Sequence, residues 1–386
     1  MHPHAFIDLE LAQLKKDDCL RQLKVFDRLH GKYIYHGKKR LLNLASNDYL
    51  NLATQPALIR TIKKAVGQYG IGAGASRLIS GTHRLHVQAE KVIAQWKKSE
   101  AALLFNSGYT ANLGMIASLA DRHTAILSDH LNHASIMDGI LLSRAPFYRY
   151  RHCDCNHLED LLKKIRYNFK RILIITDTVF SMDGDLAPLE EISALAEKYR
   201  ALLLIDEAHA TGILGQQGAG LSEALGLEKK IHLIMGTLSK AAGFLGAYVV
   251  ASEKIKQFLI NKARSFIFTT ALPPAFAAGM IQSIRIIQQA GKERQALLLK
   301  AETLRQKLRA AGFNTGSSLT PIIPILLGDN QKVLQMQEKL FSTGLLVAAI
   351  RPPTVPPGTA RLRLSLTAAL TDSEIEWINH SIRKAA

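Results

Sequence analysis

Leu203-Leu204-Ile205-Asp206-Glu207-Ala208-His209-Ala210 is the stretch that decides the fold. A short apolar run stops at a carboxylate, and an imidazole follows three residues later on the turn. The run is continuous rather than alternating, which marks a strand buried on both faces, the habit of parallel sheets. Outward from it lie similar runs at Ala101–Phe105, Ala125–Ser128, Arg171–Thr176, Leu233–Gly236 and Ala247–Val250, with the central one spanning Ala201–Asp206. Between several of them the apolar spacing turns helical, as in Leu158–Ile165 and Leu189–Tyr199. Strands alternating with helices predict an α/β domain: a mostly parallel sheet covered by helices. Ligands of such sheets bind beyond the carboxyl ends of the strands, so the polar residues just after each run are the candidates for chemistry.

The flanks read differently. Asp8–Leu29 has the spacing of an amphipathic helix, and Tyr33–Leu44 that of a short hairpin. After the sheet region, Ala275–Ala311 predicts one or two long helices. Strands near Ile322–Leu327, Leu345–Ile350 and Arg361–Leu366 follow, with helices near Gln331–Ser342 and Thr371–Lys384. A proline-rich loop, Arg351–Gly358, interrupts them. With 386 residues the chain exceeds one ordinary domain. The organisation expected is an N-terminal helix and hairpin over 1–45, a large domain over 46–285, and a smaller α+β domain over 286–386.

Hydrophobic residues at 47% and charged residues at 21% describe a soluble globular protein. Cys19, Cys153 and Cys155 are too few and too unevenly placed for a disulfide framework, which points to a reducing compartment. Met1–Leu20 carries Asp8, Glu10, Asp17 and Asp18 and lacks the apolar core of a signal peptide. No run is long enough to cross a bilayer, so a cytoplasmic protein is expected. The net charge of +17 is spread without a basic tail or an aromatic-interleaved stripe, which argues against nucleic acid as a partner. It suits an ordinary basic enzyme, or one whose substrate is anionic.

Asp206 and His209 suggest a particular chemistry. A pyridoxal-phosphate (PLP) enzyme needs a carboxylate to keep the pyridine nitrogen protonated, and a donor near the phenolic oxygen. Asp-Glu-Ala-His also occurs in helicases, but those require an upstream G-x-x-x-x-G-K-[ST] loop, and none is present. About thirty residues on, Gly236-Thr237-Leu238-Ser239-Lys240 places a lysine on a turn after a strand, with Thr237 able to hold a phosphate. Asn106-Ser107-Gly108-Tyr109-Thr110 opens a helix with glycine and small polar residues, an anion cradle of free N–H groups. Ser128-Asp129-His130-Leu131-Asn132-His133 is a polar turn after a strand, from which His133 could stack on a ring. His152-Cys153-Asp154-Cys155-Asn156-His157 has metal-ligand residue types, yet they are too tightly spaced to surround one tetrahedral ion, and no metal site is expected.

Taken together, these segments resemble the α-oxoamine synthase family of fold-type I PLP enzymes. The resemblance also runs through Ala45-Ser46-Asn47-Asp48-Tyr49-Leu50, Gly72-Ala73-Gly74-Ala75-Ser76-Arg77 and Asp177-Thr178-Val179-Phe180-Ser181-Met182-Asp183-Gly184-Asp185. It continues through Phe268-Thr269-Thr270-Ala271-Leu272-Pro273, Arg351-Pro352-Pro353-Thr354-Val355-Pro356 and Ala360-Arg361-Leu362-Arg363-Leu364. It implies that Lys240 carries the cofactor, that Asp206 pairs with the ring nitrogen, and that His209 and Ser181 sit at the phenolic oxygen. It further implies that His133 stacks on the ring and that Gly108, Tyr109 and Thr237 bind the phosphate. Thr269 or Thr270 would reach the phosphate of the partner subunit, making an obligatory homodimer with active sites at the interface. Arg363 would hold an amino-acid carboxylate, and Arg21, Asn47, Arg351 and Thr354 would line the substrate side.

The activity implied is the decarboxylative condensation of L-alanine with a pimeloyl thioester in biotin biosynthesis, the acyl group arriving on CoA or on an acyl carrier protein. Glycine C-acetyltransferase or another family activity is the alternative. Three positions depart from the family pattern. Asn51 stands where glycine is usual and is expected to alter a loop, Leu370 replaces a common histidine, and Asp177 takes a place some relatives fill with Glu.

Overall fold

The structure is a computed structural model describing residues 3–386; Met1 and His2, part of the Met1–Leu20 stretch read above, lie outside the described residues. The chain forms two compact units. One comprises Asp48–Ser181 and Leu186–Gln295; the other comprises Met1–Asn47, Met182–Asp185 and Ala296–Ala386.

The first unit is built on seven strands in the order Ala101–Phe105, Ala247–Ala251, Leu233–Thr237, Leu202–Asp206, Arg171–Asp177, Thr124–Asp129 and Phe147–Tyr150. Neighbours from Leu233–Thr237 to Phe147–Tyr150 are parallel, and only Ala247–Ala251 runs against its neighbours. Every residue of Ala101–Phe105, Thr124–Asp129, Leu233–Thr237 and Ala247–Ala251 is buried, so both faces of the sheet are covered as the continuous apolar runs require. Leu173, Ile175, Leu204 and Leu233 pack with Met115, Ile116, Ile136 and Ile140 from the helices Gly108–Leu119 and Ala134–Ser143. Each such side chain taken from water contributes about 1.5–3 kcal/mol. The strand Phe147–Tyr150 is not among those expected from the sequence. It is a four-residue edge strand with alternating exposure, too short and too polar to stand out.

In the second unit the expected Asp8–Leu29 helix is corrected. The helix is Ala5–Lys16, and Arg28–His30 forms a strand. Asp17 and Asp18 follow its last turn, where the helix dipole disfavours negative charge, and Asp18 turns to φ 52°. The hairpin of Tyr33–His36 and Lys39–Asn43 forms, and Lys39–Asn43 pairs in parallel with Leu345–Leu346. Lys32 and Tyr33 each reach the Glu374 carboxylate at 2.7 Å, which ties this hairpin to the C-terminal helix Asp372–Ala385. The N-terminal stretch and the C-terminal third therefore share one unit. Leu345–Ile350, read as one strand, is two pieces in different sheets: Ala348–Ile350 pairs with Ala360–Ser365, which also pairs with Ile322–Gly328. The long helical stretch divides into Pro274–Gln289 and Gly291–Ala310, breaking before Gly291. No helix among the described residues is long and apolar enough to cross a membrane.

Candidate active site

The parallel strands of the first unit end along one edge, and their terminal residues open into a cavity of about 220 Å³. Asp206 ends its strand with 4% of its surface exposed. Its Oδ1 accepts from the Ala208 N–H (2.8 Å), and its Oδ2 accepts from Asn112 Nδ2 (2.9 Å). Its carbonyl accepts from the Thr178 N–H and the Thr178 hydroxyl, each at 2.9 Å, so the carboxylate has one orientation. Asn112 also donates to the Ser135 hydroxyl at 2.9 Å, while its own Oδ1 is buried without a partner.

Beside Asp206, in register on the neighbouring strand, stands Asp177. Burial first, and the Asp206 charge second, push the Asp177 carboxyl well above its ordinary range. Its Oδ2 accepts from the His133 N–H at 2.8 Å, and the Asn132 side chain holds its backbone N–H at 2.8 Å. Two adjacent carboxyls in low dielectric do not both ionise easily, and burial with the neighbouring charge holds Asp177 toward its protonated form.

His133 caps the helix Ala134–Ser143, its Nδ1 accepting from the Ser135 N–H at 3.3 Å. Burial lowers its pKa, outweighing the opposing pull of Asp206, so the ring is neutral at neutral pH. An uncharged imidazole can lie flat against an aromatic ring. His209 is held through Nδ1 by the Tyr49 hydroxyl at 2.7 Å. Lys240 enters the cavity from the turn after Leu233–Thr237, where Thr237 and Ser239 share a 2.7 Å hydrogen bond. Gly108 and Tyr109 open the helix Gly108–Leu119, which Ser107 and Thr110 cap reciprocally. The first N–H groups of a helix have no intrahelical partner and favour an anion.

Gly108, Tyr109, His133, Ser181, Asp206, His209, Thr237 and Lys240 thus line one cavity. Thr269 and Thr270 do not line it in their own chain; Asn106 Nδ2 donates to the Thr269 hydroxyl (3.1 Å) and the Thr270 carbonyl (2.9 Å). Arg21, Asn47, Arg351, Thr354 and Arg363 belong to the second unit. There Arg363, 5% exposed, donates to Asn47 Oδ1 at 3.0 Å, and Arg21 donates to the Thr354 hydroxyl at 3.2 Å. Arg351 donates to the Asp18 carbonyl. Asn51 adopts φ 56°, a left-handed turn that Asn tolerates better than most residues.

The contacts of Asn112 and Tyr49, and the place of Asp177 beside Asp206, were not expected from the sequence. Asp177 had a usable signal, since it ends a strand at the same edge as Asp206. Asn112 had none, being one turn inside a helix. Of the His152–His157 residues, His152 and Cys153 offer ligand atoms within 4.8 Å of one another and of Asp129. Asp154 caps the helix Cys155–Ile165 through the His157 N–H (2.8 Å), and burial with the Glu191 carboxylate pushes the Cys155 thiol up to about 12. His152 and Cys153 gather instead on buried Asp129, which accepts from His152 Nδ1 and the Cys153 N–H at 2.9 Å each.

A primary amine, a fixed buried carboxylate, a neutral imidazole face and a helix N-terminus fit a phosphorylated, carbonyl-bearing heteroaromatic cofactor. The unmatched Asn112 Oδ1 marks spare hydrogen-bonding capacity beside the carboxylate.

Comparison with known proteins agrees. The family model described as aminotransferase class I and II matches residues 39–382. A Geobacillus kaustophilus protein named "Putative 8-amino-7-oxononanoate synthase" is 51% identical over 371 residues, covering 96% of this chain and 95% of its own. A Bacillus cereus protein of the same name is 47% identical, covering 97% and 94%. Among solved structures, Sphingomonas wittichii serine palmitoyltransferase superposes with TM-score 0.93 at 31% identity, covering 100% of this chain and 98% of its own. The 8-amino-7-oxononanoate synthase of Francisella tularensis gives TM-score 0.78 at 30% identity, covering 89% and 97%. A palmitoyltransferase variant solved with PLP gives TM-score 0.94 at 31% identity, covering 100% and 98%. With the cavity described above, these likenesses make PLP the cofactor. The chain belongs to the aminotransferase class I and II family of fold-type I PLP enzymes, in the group that holds the relatives named 8-amino-7-oxononanoate synthase.

Proposed function

We propose that this protein condenses L-alanine with a pimeloyl thioester, releasing CO₂ and the free thiol, to form 8-amino-7-oxononanoate for biotin biosynthesis. The observation that carries the reading is the single cavity in which Lys240, Asp206, His133 and His209 meet, in a chain 51% identical to a relative bearing that name. Bound PLP supplies an electron sink for the pair left at the amino-acid Cα when a proton or a carboxylate departs.

The protein's own groups do the rest. Lys240 Nζ would hold the cofactor and, as a free amine, would take the alanine Cα proton as general base. The Asp206 carboxylate would keep a proton on the ring nitrogen, while burial and the Asp206 charge raise the pKa of neighbouring Asp177. His133 would lie against the ring, and His209, held by Tyr49, would act with Ser181 at the phenolic oxygen. Gly108, Tyr109 and Thr237 hold the phosphate. Arg363 holds the alanine carboxylate so that Cα–H and then Cα–CO₂⁻ are presented for cleavage, an orientation effect. Asn47 orients Arg363, while Arg21, Arg351 and Thr354 meet the acyl donor. Thr269 and Thr270 would serve the cofactor phosphate of a second subunit in a homodimer. The net charge of +17 suits an anionic donor, CoA-bound or carried on an acidic carrier protein.

The test is thiol release by PLP-loaded protein given pimeloyl-CoA, pimeloyl-carrier protein or acetyl-CoA, with L-alanine and glycine in separate reactions. Release with alanine and little with glycine is expected, and Lys240→Ala should abolish it. Release only from acetyl-CoA with glycine would overturn the substrate assignment in favour of glycine C-acetyltransfer. Near-normal turnover by Lys240→Ala would overturn the mechanism.

A further inference from the structure

Behind the Asp206 turn lies a second pair of charges that no step above uses. Lys97 follows the last turn of the helix Arg84–Trp96, and its side chain is 1% exposed; that of Glu207 is 0% exposed. Lys97 Nζ donates to Glu207 Oε2 at 2.6 Å and to the Ala219 carbonyl, with the Thr211 hydroxyl at 3.4 Å. Glu207 Oε1 accepts from the Ser222 N–H at 2.8 Å. Gly220, at φ 121°, passes so close that an added Cβ would collide with the Glu207 carboxylate. The Lys97 ammonium also lies 5.3 Å from the Trp96 ring and 5.4 Å from the Tyr248 ring.

The Glu207 backbone belongs to the turn that presents the cofactor residues. Its N–H donates to the Met235 carbonyl at 2.8 Å, and its carbonyl accepts from Ala210 (3.0 Å) and Thr211 (2.8 Å). Through one residue, the segment bearing Asp206 and His209 is fastened to a helix end, to the strand leading to Lys240 and to the 219–222 loop. Stability alone is a poor reason to keep such a pair, because burying two ions costs as much as or more than apolar side chains of equal volume would. Geometry is a better one. An ion pair with several directional bonds admits one orientation of the turn, where apolar packing would admit several.

We infer that Lys97 and Glu207 are positioning residues, whose buried pair fixes the 206–211 turn so that the Asp206 carboxylate and the His209 ring are aimed at the cofactor. The inference rests on the reading that Asp206 and His209 hold the cofactor. It assigns a task to the Glu of Asp-Glu-Ala-His, and to a lysine more than a hundred residues upstream.

The experiment compares wild-type enzyme with Glu207→Gln, Lys97→Met, the charge-free double variant Lys97→Met/Glu207→Leu, and Asp206→Asn. Each is resolved and reloaded with PLP. The readouts are the PLP dissociation constant, the midpoint of the pH titration of bound-cofactor absorbance, and thermal unfolding. The single variants leave one buried charge alone, so loss of folding in them only repeats the cost of that charge, and the double variant decides. It should unfold near the wild-type temperature yet bind PLP on the order of tenfold more weakly, the scale on which groups that orient ligating residues act. Its absorbance midpoint should move by about one pH unit, because Asp206 no longer faces the ring nitrogen in one fixed way. A folded double variant with wild-type affinity and midpoint overturns the inference, provided Asp206→Asn is impaired in both. If Asp206→Asn also matches wild type, the cofactor reading falls first and this inference with it.

Discussion

Replacing Asp177 by Asn tests the division of labour between the two carboxyls. Asn has the same shape, still offers an oxygen to the His133 N–H now bonded at 2.8 Å, and cannot ionise. In the wild-type chain, burial and the neighbouring Asp206 raise the Asp177 pKa well above its ordinary value. The sign follows from proton counting. Between the unfolded and folded pKa values the folded state keeps a proton that the unfolded state has lost. Asp177 therefore stabilises the fold fully only below the unfolded value, and stability falls as pH rises toward the folded pKa. The slope is about 1.4 kcal/mol per pH unit for one proton. The substituted protein lacks that slope. Its stability relative to wild type should rise by about 1.4 kcal/mol per unit from near pH 4 until wild-type Asp177 ionises, then level off. The assay is urea unfolding of cofactor-free protein at fixed protein concentration, from pH 5 to 8. Parallel stability curves for the two proteins would refute the argument, for they would mean that Asp177 is already ionised in the folded state.

Two further changes probe the site and its support. Asn112→Ala removes a hydrogen bond to a buried carboxylate, a loss of about 1.5–3 kcal/mol, and should weaken PLP binding roughly 10- to 100-fold. Unchanged affinity by absorbance titration would show that the Ala208 N–H alone suffices to hold Asp206. Leu204→Ala, at a 0% exposed position of the central strand, should cost about 2–5 kcal/mol in chemical unfolding. A cost below about 1 kcal/mol would contradict close packing of the sheet.

The parallel sheet and most of one wall of the candidate site were legible in the sequence. Continuous apolar strands could be read because burial on both faces leaves an unbroken local pattern, and Lys240, Asp206, His133 and His209 could be read because parallel strands bring their ends to one edge. The proline-rich loop and the final helix were legible for the same local reason; Thr371 and Glu374 form a capping box within four residues. What escaped was decided by partners far along the chain. Whether Asp8–Leu29 continues as a helix depends on Arg28–His30 finding Tyr33–His36, and the split of Leu345–Ile350 depends on two different sheets. Asn112 meets Asp206 across 94 residues, Tyr49 meets His209 across 160, and Lys97 meets Glu207 across 110. Spacing along a chain encodes periodicity and turns. It does not encode which buried polar group will satisfy which, because that is set by the few positions where hydrogen bonds can form once water has been excluded.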